Sequence, residues 1–304
     1  MVWDFIYLRR FLGIEKVWVG VVFISEIISS LYPDPVYQMP KLDYAPYFMD
    51  MQRFTSAYLD ESMLAQQSGY AFSELIDRAI HDNKNILSLL KQADMCALIN
   101  WSYEYDSDYS HVGPYLAEKY NVGANLLDIT EQGSLCLISA LHVLSAFFSQ
   151  QKINHALIIG FEQRALPIRY NCHQALPQFN GISVISLSSK ILNQKYRLKI
   201  IESELILEKN FEEKITALEK NHTVYCYLLT QQSNVKISDF LLLRKISVVS
   251  ISLGILPLFI FFDQLQNDAV FHEDNALCVV LIVDIELKEW GMVVMQNFDT
   301  IIQC

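Results

Sequence analysis

Residues able to do covalent or acid–base chemistry are present in this chain, but few stand at useful spacings. Ser134 opens a long apolar run beside Gly133, and Cys136 follows two positions later. A hydroxyl at the start of a helix is nucleophilic only when a general base reaches it. No histidine or lysine is identifiable as that base, so Ser134 reads as a helix cap. Cys136 lies inside the same helix, where its side chain points elsewhere, and reads as a small buried hydrophobe. Glu104, Asp106, Asp108 and His111 form an acidic cluster that could hold a divalent cation. The cluster lacks a glycine turn and is interleaved with Tyr103, Tyr105 and Tyr109. A polar loop at an interface is the better reading, and no metal is expected.

The six cysteines (Cys96, Cys136, Cys172, Cys226, Cys278 and Cys304) are scattered, mostly in apolar runs, with no CxxC pair and no zinc spacing. Buried free thiols in a reducing cytoplasm are expected. His142 falls on the apolar helix and is expected to be a hydrogen-bonded core residue. His155, His173, His222 and His272 have no partner at ligand spacing. Arg164 and Arg169 read as solvated loop charges or a partner surface.

These residues hang on elements that hydrophobic periodicity predicts. Strands are expected at 17–24, 95–101, 125–129, 155–160, 198–207, 223–229, 240–243, 246–253, 277–284 and 291–296. Helices are expected at 68–82, 109–120, 134–150 and 257–267. The helix over 134–150 carries apolar residues on nearly every face, so it should be covered on all sides. A buried helix between strands implies a layered α/β architecture with that helix in the middle layer. Strand, buried helix, strand, strand recurs in the second half.

With 52% hydrophobic and 19% charged residues, the chain can bury a large core. Its net charge of −11 disfavours nucleic acid and anionic membrane surfaces as partners. The uncharged stretch 246–262 is near the minimum for a membrane span but contains serines, Gly254 and Pro257. It reads as a buried strand and helix. The sequon Asn221-His222-Thr223 has no other sign of secretion beside it, nor has 1–14 the form of a signal peptide.

Asp128-Ile129-Thr130-Glu131-Gln132-Gly133-Ser134, the apolar helix, and Asn154-His155-Ala156-Leu157-Ile158-Ile159-Gly160 resemble the ketosynthase III family of the thiolase superfamily. Residues 281–284 through Trp290-Gly291-Met292-Val293-Val294 resemble its last hairpin, and 179–184 its mid-chain strand entry. The resemblance implies a thiolase fold, a layered αβαβα architecture with two similar halves. The expected division is an extension at 1–15, a first half at 16–165 and a second at 166–304. In that family a Cys at the start of the buried helix takes up an acyl group, and a His and an Asn assist condensation.

Counting forward from Asp128 puts Gly133 at the Cys position, and counting back from Gly160 puts Ser134 there. The His position falls near Leu243, where 244–245 run directly into the next strand, and the Asn position is Ile255 after Gly254. In place of a glycine-rich oxyanion turn stand Asp284-Ile285-Glu286-Leu287-Lys288-Glu289. These departures imply a catalytically inactive subunit, with no cofactor, that supports an active ketosynthase in a heterodimer or heterotetramer. Acyl carrier protein or acyl-CoA could meet such a complex. The non-catalytic subunit of the heterodimeric 2-alkyl-4-quinolone synthase is similar in these turns. The alternatives are an acyltransferase using Ser134 and a homodimeric acyl-binding protein.

Overall fold

The computed structural model describes residues 22–33, 57–59, 70–100, 111–130, 133–163, 168–170, 179–191, 198–206, 208–230, 246–250, 255–265, 276–284 and 289–297. The first half supplies β1 (Val22–Tyr32), β3 (Met95–Asn100), β4 (Asn125–Thr130), β5 (His155–Glu162) and β7 (Asn180–Ser188). The second half supplies β8 (Leu198–Ile206), β9 (Thr223–Thr230), β10 (Ile246–Ser250), β11 (Ala276–Asp284) and β12 (Glu289–Asn297). Two short strands, β2 (Ala57–Leu59) and β6 (Ile168–Tyr170), pair with each other.

The sheet runs β10-β9-β11-β12-β8-β1-β7-β5-β3-β4. Within each half the spatial order is third, second, fourth, fifth, first. The first four strands run parallel within each set, and the fifth is antiparallel to its neighbours. The halves are therefore the same unit used twice, a repeat that residue identity does not reveal. They join through β1 and β8, at Val22↔Ile200 and Phe23↔Lys199. β7 lies beyond the expected division at 165, yet it pairs with β5 and β1 and completes the first strand set. The chain crosses between halves after Ser188 and before Leu198.

Helices α1 (Phe72–Asp82), α2 (Asn85–Gln92) and α3 (Val112–Tyr120) cover the outer face of the first strand set. In α1 the buried residues Phe72, Leu75, Ile76, Ala79 and Ile80 fall at helical spacing along one stripe. Helix α5 (Glu208–Glu219) covers the outer face of the second set through Phe211 and Ile215. Between the sets lie α4 (Cys136–Ser149) and α6 (Ile255–Leu265), sharing one core with the inner faces of both. The result is the five-layer αβαβα arrangement with two similar halves. Because both faces of the first strand set are covered, β3 and β7 are buried at every position, although β7 carries Asn180, Ser183, Ser186 and Ser188.

Helix α4 is less enclosed than its composition predicts. His142, Val143, Ala146 and Phe147 keep partial exposure along one stripe. The expected strand at 240–243 lies outside the described residues. Helices α2 and α5 escape sequence reading because they are short or polar on most of their surface.

Each central helix starts against a glycine of the other half. A Cβ on Gly181 of β7 would sit 2.4 Å from Leu256 of α6 and 2.5 Å from the Ser30 carbonyl oxygen. A Cβ on Gly291 of β12 would sit 2.7 Å from Ile138 and 2.9 Å from Leu135. Gly181→Ala is expected to destabilise the protein by about 1–3 kcal/mol, since a backbone oxygen cannot rotate away. Gly123→Ala, with nothing within 4 Å of its Cβ, should change stability by less than about 0.5 kcal/mol. Urea unfolding of the two variants measures both.

Candidate functional site at the starts of the central helices

The first turns of α4 and α6 lie at the carboxyl ends of the parallel strands, where helix N-termini present free N–H groups and positive dipole ends. Gly133 has φ 53°, a left-handed conformation that other residues adopt at a cost, and it starts a single 3₁₀ turn over Gly133–Leu135. Ser134 follows, fully buried, and its Oγ has no hydrogen-bond partner among the described residues. Leu135 and Ile138 are fully buried on either side and press on Gly291. Cys136 is also fully buried, and its thiol donates to the Asn100 carbonyl oxygen at 3.4 Å. Among the described residues no base is therefore hydrogen-bonded to the Ser134 hydroxyl.

The start of α6 is sealed in the same manner. Ile255 is fully buried, and its Cγ2 lies 2.3 Å from where a Cβ on Gly160 would stand. The residue matched to the family's Asn is thus an aliphatic plug against β5, made possible by Gly160. Gly254 and Leu243 lie outside the described residues. The second strand of the second half is β9, so the segment after its end at Thr230 is the one that leads toward β10. Residues 231–245 contain no histidine.

One group here is absent from the sequence reading. Glu162, at the end of β5, is 1% exposed, and its Oε1 accepts the Leu256 N–H at 3.1 Å. Burial pushes its carboxyl up to about 7, against an opposing pull from the Leu256 and Ile255 N–H groups. The only sequence signal was an acid two residues beyond the strand-closing Gly160. Asp128 is also raised above the usual carboxylate range, by desolvation, with His111 opposing the shift.

The remaining candidates are dispersed. His142 Nδ1 lies 2.7 Å from the Ser203 carbonyl oxygen, the expected core hydrogen bond. His111 stands at the start of α3, while Glu104, Asp106 and Asp108 lie outside the described residues. Among the described residues no group of three His, Cys, Asp or Glu could hold a metal. Cys96, Cys136, Cys226 and Cys278 are free and buried, and burial alone pushes the Cys96 thiol up to about 12. His155 lines a cleft of about 320 Å³ with Asp94, Asn154 and Ser188, at the amino ends of β3 and β5. Asp94 there already accepts the Asn154 and His155 N–H groups at 2.7 and 3.0 Å. No helix among the described residues is long and apolar enough to cross a membrane.

No protein-family model matches the sequence, and no curated protein matches it. Solved structures do match. A variant of OleA from Xanthomonas campestris aligns over 92% of this chain and 100% of its own, with TM-score 0.54 and 11% identity. A tetronic acid condensing enzyme covers 91% and 100%, with TM-score 0.53 and 10% identity. An acyltransferase covers 91% and 98%, with TM-score 0.53 and 12% identity. The fold is that of the thiolase-type condensing enzymes. At such identity the likeness concerns the backbone, and the thiolase fold by itself assigns no chemistry.

Ser134→Ala is expected to leave stability unchanged or to raise it by about 1 kcal/mol, because it removes a buried hydroxyl that has no partner. Thermal unfolding compares the two proteins. A loss above about 1 kcal/mol would mean that the hydroxyl is bonded in solution.

Proposed function

We propose that this chain is a non-catalytic, ketosynthase III-like subunit that pairs with an active condensing enzyme in making a fatty-acid-derived or polyketide-type product. The observation that carries the reading is Ser134, fully buried, its hydroxyl without a hydrogen-bond partner among the described residues. The aliphatic Ile255 and the histidine-free segment 231–245 support it. Condensation needs a thiolate or an activated hydroxyl, and groups to hold the developing oxyanion. Among the described residues no activating base is bonded to the Ser134 hydroxyl.

Pairing has support of its own. β4 ends the sheet, bonded to β3 on one side and, among the described residues, to no strand on the other. Leu126 and Leu127 on it are only half-buried. An open edge of this kind is a template for a strand from another chain. The thiolase-type partner, in a heterodimer or heterotetramer, would use it, with acyl carrier protein or acyl-CoA meeting the partner's site. The similarity of the nucleophile turn and terminal hairpin to the non-catalytic quinolone synthase subunit belongs to the same reading, as does a cytoplasmic setting.

A second reading is an acyltransferase using Ser134 as nucleophile. It is favoured by the neighbours themselves, which carry the names of enzymes, whereas the buried hydroxyl favours the first reading. Incubation with an acyl-CoA followed by intact mass separates them. No adduct is expected; a stable adduct lost in Ser134→Ala would establish the second. Co-expression with a ketosynthase encoded beside it, followed by size exclusion, tests the pairing. Co-elution is expected, and recovery as a homodimer indifferent to that enzyme would favour an acyl-binding protein.

A further inference from the structure

The two central helices begin in equivalent places but are treated differently. In the first half Glu162 of β5 stands opposite Gly181 of β7; in the second, Ile282 of β11 stands opposite Gly291 of β12. Both glycines receive the first turn of the other half's central helix. The residue beside them is thus an acid facing α6 and an isoleucine facing α4.

Helix α6 has a particular need for an acceptor. Its opening residues are Ile255, Leu256 and Pro257. Proline has no N–H, so the free donors of the first turn are concentrated on Ile255 and Leu256. Neither side chain can cap. Both residues are fully buried, so water does not replace a missing acceptor. Glu162 Oε1 takes the Leu256 N–H at 3.1 Å, and the carboxylate lies against the positive end of the helix.

We propose that Glu162 is a positioning residue, a carboxyl latch from the first half that seats the start of α6 in the middle layer. The latch crosses between halves, so it fixes the second half's helix to the first half's sheet. Among the described residues the causes of its shift are burial and two backbone N–H groups. On β7, the polar neighbour on the same face is Ser183, whose hydroxyl donates to Ser29 Oγ at 2.7 Å. The acid of α6, Asp263, lies about two turns along the helix.

The latch has a signature that mere packing would lack. With its folded value near 7 and the ordinary carboxyl value near 4.5, Glu162 keeps its proton in the folded protein after the unfolded chain has released it. Its contribution to stability is therefore full below the unfolded value and falls as pH rises through about 7. E162Q keeps the shape and an acceptor oxygen but cannot titrate. The Tm of E162Q relative to wild type should rise between about pH 4.5 and pH 7 and then level off. In E162A, amide exchange at Ile255 and Leu256 should quicken about tenfold or more, while the first turn of α4 is unchanged. Parallel pH profiles for E162Q and wild type would overturn the proposal, as would equal quickening in both helices of E162A. E162Q is isosteric, so its comparison decides the matter if E162A fails to fold.

Discussion

Two aliphatic helices must lie between two sheets, each with its first turn pressed into the opposite half. That contact is close enough to need glycine at 181 and 291, where any Cβ would fall within 3 Å of a neighbouring atom. Much else follows from it. Strands covered on both faces, such as β3 and β7, are buried at every position. The outer helices can remain amphipathic, since only one stripe of each meets the core. A fully buried Leu or Ile contributes about 1.5–3 kcal/mol, and the central core holds many of them.

The same constraint governs what the helix starts can do. In a thiolase-type architecture these N-termini are the natural place for an anionic reaction centre, because their N–H groups and dipoles converge there. Here the space is filled by Leu135, Ile138, Ile255 and Leu256, all fully buried. Where polarity persists it is turned inward: Cys136 bonds a strand carbonyl, and Glu162 serves the α6 backbone.

Most strands and the two central helices were legible in the residues, for physical reasons. An unbroken run such as Leu157 to Ile159 or Leu281 to Val283 has no stable place except inside a layered sheet. The all-apolar helix at 136–149 could only be a middle layer, although its stripe through His142 and Phe147 stays partly open. Helix α5, charged at half of its positions, hides its role because Phe211 and Ile215 face the core with Leu218 packed partly against it. The halves share strand order without sharing residues, since topology constrains burial pattern and not side-chain identity.

The sequence by itself determined the layered class, because that depends on residue type and local periodicity. Tertiary structure decided the rest. It showed that β7 closes the first strand set, that Ile255 packs onto Gly160 and that Ser134 lacks a partner. It also found Glu162 beneath α6, 94 positions away from Leu256 in the chain. No local pattern encodes such a pair: a carboxyl at a strand end looks solvated until the other half of the molecule is folded over it.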